Sequence, residues 1–126
     1  MAVTTASPGD PGVVTTASPE SSVRWRASGA LVERSTDAGV TWQFVARVVD
    51  ADFRAASSPS PLVCWFAGRD GVVVVFTEGR TARAVTFPEL VHLSAIRATD
   101  ERTAIVTTVD GRQYSTSDGG LSWSLR

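Results

Sequence analysis

The feature that most constrains the fold of this chain is an octapeptide that occurs twice. STDAGVTW spans residues 35–42 and TSDGGLSW spans residues 116–123. Both copies place an aspartate two residues before a glycine, and both end in a tryptophan. Short polar side chains accept hydrogen bonds from nearby backbone N–H groups in turns, and glycine takes backbone conformations that a Cβ opposes. The pattern therefore predicts one kind of tight hairpin turn at two places.

The two octapeptides belong to a longer repeat. Residues 18–25 (SPESSVRW) align with residues 58–65 (SPSPLVCW), and residues 102–106 (RTAIV) take the same place in a third copy. The two segments are offset by 40 residues. Repeats of about 40 residues are typical of architectures that stack one structural unit on the next. The predicted repeats cover residues 12–50, 51–89 and 90–126, and residues 1–11 are expected to be a flexible linker rich in Pro, Thr and Gly.

Strand signals dominate each repeat. Short runs of Val, Ile, Thr, Trp and Phe alternate with Gly, Pro, Asp and Ser clusters, and no long window shows the apolar period of a helix. A repeat of about 40–45 residues with four strands is one blade of a β-propeller. The predicted fold is therefore all-β, with three four-stranded antiparallel blades. In the last repeat the expected strands are residues 91–96, 103–108, 112–116 and 121–125.

Composition excludes several classes of protein. The 126 residues are 43% hydrophobic and 20% charged, which suits one globular domain with a real core. A net charge of −1 gives no long-range attraction to nucleic acid or to an anionic membrane. The longest apolar run is residues 72–76 and no signal-peptide pattern opens the chain, so we expect a soluble chain without membrane insertion. The single cysteine, Cys64, excludes an internal disulfide and is expected to be a buried small hydrophobe.

The octapeptide resembles the Asp-box, S-x-D-x-G-x-T-W, of sialidase-type repeat proteins. Residues 35–42 match every fixed position, whereas residues 116–123 exchange the two hydroxyl residues. Residues 77–83 (TEGRTAR) keep only a relic without the tryptophan. The resemblance assigns a structural role in the turns to Ser35, Asp37, Gly39, Thr41, Trp42, Thr116, Asp118, Gly120, Ser122 and Trp123.

The wider pattern, including VCWFAGRDG and VTFPE, resembles the repeat family of the photosystem II assembly and stability factor, a seven-bladed propeller. It is also similar to domains at the C-termini of bacterial membrane-anchored proteins, some of them anti-sigma-factor-like. The resemblance implies a non-catalytic scaffold or sensor with a protein partner and no cofactor. It implies an extracytoplasmic location if the chain follows such an anchor, and it implies no role in photosynthesis.

The alternative function is a carbohydrate-binding or glycosidase-like propeller, because Asp-boxes occur in sialidases. Glycoside hydrolysis usually requires two carboxylates that flank the scissile bond, and no such pair stands out. Tyr114, the only tyrosine, lies at a scaffold position, and His92, the only histidine, is expected on an inner strand. No His, Cys or carboxylate group has the spacing of a metal site. We therefore assign no catalytic residue and no metal ligand.

Partner contacts are expected on loops, where function concentrates. The candidates are the turn arginines Arg69, Arg80 and Arg112. Three blades leave two open flanks, expected to be apolar, which two copies could cover by closing a six-bladed ring. A fragment of a longer propeller and a compact three-unit domain are the other two alternatives.

Overall fold

The computed structural model describes residues 13–126, which form twelve strands and a three-residue 3₁₀ turn at Arg69–Gly71. The first sheet contains β1 (Val13–Ala17), β2 (Arg24–Ser28), β3 (Leu31–Ser35) and β4 (Gln43–Arg47). The second contains β5 (Phe53–Ser60), β6 (Val63–Gly68), β7 (Val73–Thr77) and β8 (Thr81–Val85). The third contains β9 (Leu93–Ala98), β10 (Ala104–Thr108), β11 (Gln113–Thr116) and β12 (Ser124–Leu125).

Each sheet is an antiparallel meander whose strand order follows the chain. The all-β prediction with three four-stranded sheets is confirmed, and each sheet lies inside one of the three predicted repeats. The first strands of the sheets are neighbours, because β5 contacts both β1 and β9. The second sheet therefore lies between the other two. The linker expected at residues 1–11 lies outside the described residues.

Two strands of the third sheet depart from their expected bounds: β9 is shifted by two residues and β12 is shorter. β9 begins at Leu93 because the preceding residues belong to the connection from the second sheet, where the His92 carbonyl accepts a hydrogen bond from Val109. β12 contains only two residues, which pair with Tyr114 and Ser115. Trp123 lies just before β12 and packs on the second sheet.

The core consists of two apolar layers, one on each face of the second sheet. Strand side chains alternate between faces, so Cys64 and Phe66 face the first sheet while Trp65 and Ala67 face the third. This explains the unbroken run at residues 72–76, because both faces of β7 are buried. Each large apolar side chain buried in this way stabilises the fold by about 1.5–3 kcal/mol.

Aromatic side chains fill the layer between the first and second sheets. Trp25 lies 5.6 Å from Phe76 and 6.4 Å from Phe66, measured between ring centroids, and Trp25 is fully buried. Cys64 is fully buried in the same layer, and burial raises the pKa of its thiol. Among residues 13–126, no helix has the length and apolar character needed to span a membrane.

Candidate functional site

The first octapeptide folds into a turn held by the Asp37 carboxylate. Oδ1 accepts hydrogen bonds from the Ser35 hydroxyl (2.7 Å) and the Thr41 amide (2.9 Å), and Oδ2 accepts one from the Thr41 hydroxyl (2.6 Å). The Ser35 hydroxyl oxygen in turn accepts a hydrogen bond from the Gly39 amide (2.9 Å). These hydrogen bonds favour the charged carboxylate and lower the pKa of Asp37 to about 2. The bond from the Thr41 hydroxyl makes the largest contribution to this shift.

The second octapeptide repeats this network bond for bond. Asp118 accepts hydrogen bonds from the Thr116 hydroxyl (2.8 Å), the Ser122 amide (3.0 Å) and the Ser122 hydroxyl (2.6 Å). The Thr116 hydroxyl oxygen accepts a hydrogen bond from the Gly120 amide (2.9 Å). The pKa of Asp118 is likewise lowered to about 2, chiefly by the Ser122 hydroxyl. Exchanging Ser and Thr between the copies keeps every hydroxyl, so the turn is unchanged.

The two tryptophans that end the octapeptides lie in different surroundings. The Trp123 ring lies 5.2 Å from Phe87 and 6.5 Å from Trp65, inside the layer between the second and third sheets. Trp42 is half-buried on the outer face of the first sheet, with the Arg26 guanidinium 4.1 Å above its ring. The two indoles therefore pack in different ways, because no described sheet lies in front of the first one.

Both aspartates direct their carboxylate oxygens into their own turns, so the octapeptides offer no free group for chemistry. The relic in the second sheet is a shorter turn in which Glu78 and Gly79 both have positive φ, at 56° and 75°. It closes by a hydrogen bond from the Arg80 amide to the Thr77 carbonyl (3.1 Å). The octapeptides are therefore scaffold, and a candidate site has to be found elsewhere.

A cleft of about 540 Å³ opens at the opposite end of the molecule from the octapeptide turns, where the inner strands β1, β5 and β9 begin. All three sheets contribute to it, together with the β6–β7 and β10–β11 turns. The cleft is lined by Val13, Val14, Arg54, Arg69, His92, Leu93, Ser94 and Val109.

The wall of the cleft is basic and apolar. Arg54 and Arg69 both bind Asp52, with their nearest guanidinium nitrogens 3.0 and 3.5 Å from Oδ2. The hydrogen bond from Arg54 is the main cause that lowers the pKa of Asp52. Two guanidinium groups thus share one carboxylate, and both side chains remain about half exposed. Such a pair can hold a further carboxylate from a ligand.

His92 joins two parts of the cleft. Its Nδ1 accepts a hydrogen bond from the Asp70 amide (3.1 Å), and the Asp70 carboxylate lies 3.8 Å from the same nitrogen. Because Nδ1 is an acceptor, the neutral ring carries its proton on Nε2. Asp70 has a positive φ of 58° in the 3₁₀ turn that also carries Arg69. The expectation that His92 lies on an inner strand is wrong: it precedes β9 and anchors the Arg69 turn.

The structure does not bring the three predicted arginines together. Arg69 lines the cleft, whereas Arg80 lies at the opposite end, beside a smaller pocket of about 420 Å³ that Phe44 also lines. Arg112 lies near the cleft end but is engaged by Glu89 at 2.7 and 3.0 Å and by Asp110 at 3.1 Å.

Sequence reasoning missed Arg54 and assigned His92 to the wrong element. The repeat offset carries the missing signal, because Val14, Arg54 and Ser94 are spaced at the repeat length and all line the cleft. Positions equivalent in each repeat converge where the inner strands meet.

Tyr114 belongs to the Arg112 cluster and not to the cleft. Its hydroxyl donates a hydrogen bond to Glu89, and its ring packs edge-on against Phe87 at 5.1 Å. The bond to Glu89 raises the pKa of Tyr114, and a nucleophile is usually activated by a lowered pKa or a nearby base at an accessible site. Tyr114 is only 8% exposed. Within residues 13–126, no group of three or more His, Cys, Asp or Glu side chains is arranged to hold a metal ion.

No model of a protein family matches this chain, and no curated protein matches it. Solved structures that are similar to it include two of YCF48. A structure described as YCF48 bound to D1 peptide is 21% identical with a TM-score of 0.74, over 90% of this chain and 37% of that one. YCF48 from Cyanidioschyzon merolae is 23% identical with a TM-score of 0.73, over 89% of this chain and 35% of that one.

This chain therefore spans a little over a third of the YCF48 chains that it matches. At this level of identity the likeness concerns the fold. It confirms, for the fold, the resemblance to the photosystem II assembly factor that the sequence indicated. Three stacked four-stranded sheets with this likeness make the described part of the chain a partial β-propeller.

Proposed function

We propose that this domain is a non-catalytic protein-binding module that holds a short peptide segment of its partner in the cleft at the start of the inner strands. The observation that carries the proposal is the lining of the cleft, which combines apolar side chains with two half-exposed arginines. Ligand pockets are commonly about 300–1,000 Å³ and mostly apolar with a few polar groups that fix orientation. A cleft of about 540 Å³ fits a few residues of a peptide.

The lining favours one kind of peptide. Val13, Val14 and Val109 offer apolar contacts, and Arg54 and Arg69 offer charge-assisted hydrogen bonds to a carboxylate. Among the residues that the structure describes, the lining contains no acidic side chain, since Asp52 holds the arginines without lining the cleft. A segment with an acidic residue beside apolar ones therefore matches it best. The peptide bound to the similar YCF48 structure supports a peptide as the class of ligand.

The test is a selection of random short peptides displayed on phage against the immobilised chain, followed by calorimetry on the enriched peptides. We expect these peptides to contain Asp or Glu beside apolar residues. Arg69→Glu should weaken their binding about ten-fold or more, because a hydrogen bond to a charged group contributes ~1.5–3 kcal/mol. Arg54 can keep its pair with Asp52 in this variant, so the fold should survive.

Arg80→Glu is the matched control, because it makes the same charge change on an exposed turn at the opposite end. It should leave the affinity unchanged. The proposal is wrong if no peptide is enriched, or if Arg69→Glu and Arg80→Glu have the same effect. A signal on a glycan array instead would favour the carbohydrate-binding alternative. The extracytoplasmic location stays a prediction.

A further inference from the structure

The two outward surfaces of the three-sheet stack differ in chemistry from the surfaces between sheets. We call the outer side of the first sheet the front face and define it by Arg24, Arg26, Glu33 and Ser35. We call the outer side of the third sheet the back face and define it by Ile105, Thr107, Gln113 and Ser115. Both are defined by the two central strands of their sheet.

The front face can be compared with the equivalent face of the second sheet, pair by pair. Where the first sheet pairs Arg26 with Glu33, the second pairs Phe66 with Val74. One pair along, Arg24 with Ser35 corresponds to Cys64 with Phe76. The residues of the second sheet are all buried in the apolar layer against the first sheet.

The charged side chains of the front face are bonded to other groups of the first repeat. The Arg26 Nε donates to Glu33 Oε1 at 2.8 Å, and the same guanidinium covers the Trp42 ring at 4.1 Å. Arg24 donates from Nη1 to the carbonyls of Ser21 and Val23, both at 3.0 Å. In the third repeat the equivalent ring, that of Trp123, packs on the neighbouring sheet. In the first repeat the Trp42 ring is covered instead by an arginine of its own sheet.

The back face shows the same replacement at three of its four positions, since Ile105 stays apolar. The second sheet presents Trp65 with Val75 and Ala67 with Val73 to the third sheet, and all four are buried. At the equivalent pairs the third sheet presents Ile105 with Ser115 and Thr107 with Gln113. The Gln113 amide donates to the Thr107 hydroxyl at 3.4 Å, so this pair is also satisfied within its own sheet.

A further blade on either face would bury these groups. Covering Arg24, Arg26 and Glu33 removes charges from water, and the attraction within an ion pair often fails to offset that desolvation. Stacked repeat proteins generally end in terminal repeats whose outer face is polar. We infer that the front and back faces are caps, which take neither another blade nor a second copy of this chain. The sequence-based expectation of apolar flanks therefore fails at the central strands.

Sedimentation of the full chain across the micromolar range tests this inference. We expect a single species at the monomer mass of 13.3 kDa with little binding of an apolar dye. An uncapped variant gives both faces the residues of the second sheet, by Arg26→Phe, Glu33→Val, Ile105→Trp and Ser115→Val. We expect this variant to sediment at twice the monomer mass or more and to bind the dye.

A control makes two of these changes at exposed turn positions outside both faces, Arg80→Phe and Glu101→Val. It should remain monomeric. The inference is overturned if the wild-type chain sediments as a dimer or larger, or if the uncapped variant folds, as judged by circular dichroism, and stays monomeric. Where the uncapped variant does not fold, the wild-type mass decides alone. The experiment requires no peptide, so its result is independent of the proposed function.

Discussion

At the scale of residues, each octapeptide turn is held together by hydrogen bonds to two acceptors, one aspartate carboxylate and one hydroxyl oxygen. Asp37 and Asp118 each accept hydrogen bonds from two hydroxyls and one backbone amide. The hydroxyl four residues after the aspartate is supplied by Thr41 in one copy and Ser122 in the other. The chemistry of the turn, and not the identity of one residue, is therefore what the repeat retains.

These networks make stability depend on pH. The pKa of both aspartates is lowered to about 2 in the folded chain, against about 3.9 in an unfolded one. A lowered folded pKa contributes stability that is present above about pH 4 and is lost as the pH falls towards 2. We predict that the double variant Asp37→Asn, Asp118→Asn loses less stability than the wild type between pH 4 and 2 in urea titrations.

Glu101→Gln is the control for this prediction, because Glu101 is an exposed carboxylate outside both octapeptides. Its stability should fall with pH as the wild type's does. Other carboxylates whose pKa is lowered in the folded chain, such as Asp52 and Asp110, also contribute to the loss of stability in acid. The difference between variant and wild type is therefore the measured quantity, and equal slopes would contradict the account of the turns.

Residue-scale prediction succeeded where the cause is local and failed where it is not. Hydrogen bonding of Asp37 and Asp118 within their own turns follows from the octapeptide alone. The surroundings of Trp42 do not, since they depend on which sheets lie on either side. His92 was assigned to a strand because a valine–histidine–leucine run is typical of one. In the structure its ring accepts a hydrogen bond from the Asp70 amide, which belongs to another turn.

At the scale of elements, the alternation of apolar and polar residues along the strands of a sheet indicates where that sheet lies in the stack. The second sheet is apolar on both faces of β6 and β7, which suits an element between two others. An apolar run such as residues 72–76 is typical of a strand buried on both faces, but it does not say which sheets cover that strand. The bounds of β9 and β12 could not be read, because apolar residues outside the ladder, such as Trp123, still serve the core.

The contact between the second octapeptide turn and the second sheet gives a prediction at this scale. Gly120 and Gly111 both have φ near +90°, at 90° and 89°. A Cβ on Gly111 meets nothing within 4 Å, whereas one on Gly120 would lie 2.3 Å from Val85 Cγ1. We expect Gly111→Ala to lower the free energy of unfolding by ~1–2 kcal/mol, from backbone conformation alone. Gly120→Ala should lower it by about 1–3 kcal/mol more, from overpacking.

Urea denaturation of the two alanine variants checks this prediction, since the paired glycines share their backbone conformation and differ in their neighbours. Adding Val85→Ala to Gly120→Ala should recover part of the loss, and a double-mutant cycle measures that coupling. Equal losses for Gly111→Ala and Gly120→Ala would mean that the turn does not press against β8.

At the scale of the whole molecule, one repeat offset organises both the stack and the cleft. Positions such as Val14, Arg54 and Ser94 are equivalent in the three repeats and meet at the start of the inner strands. The sequence predicted the repeat and the class of fold, because these follow from spacing and strand signals. It did not predict the cleft, because the mixture of Arg54, Arg69 and apolar residues arises only when three different repeats converge.

The capped faces follow the same logic. Each repeat was read as one unit of a common pattern, so its departures from the pattern, such as Arg26 in place of an aromatic residue, were overlooked. Those departures concentrate on the outer sides of the stack. With the central strands of both faces polar apart from Ile105, the cleft end is the surface that best suits a partner.

The central claim is that a partner peptide binds at the cleft end, and NMR mapping tests it most directly. A ¹⁵N-labelled chain is titrated with a peptide enriched by selection, and amide shifts are followed at each position. The account predicts saturable shifts at Arg54, Arg69 and Leu93, with the octapeptide turns and both faces unchanged. Shifts concentrated at residues 35–42 or 116–123, or on the front or back face, would contradict it.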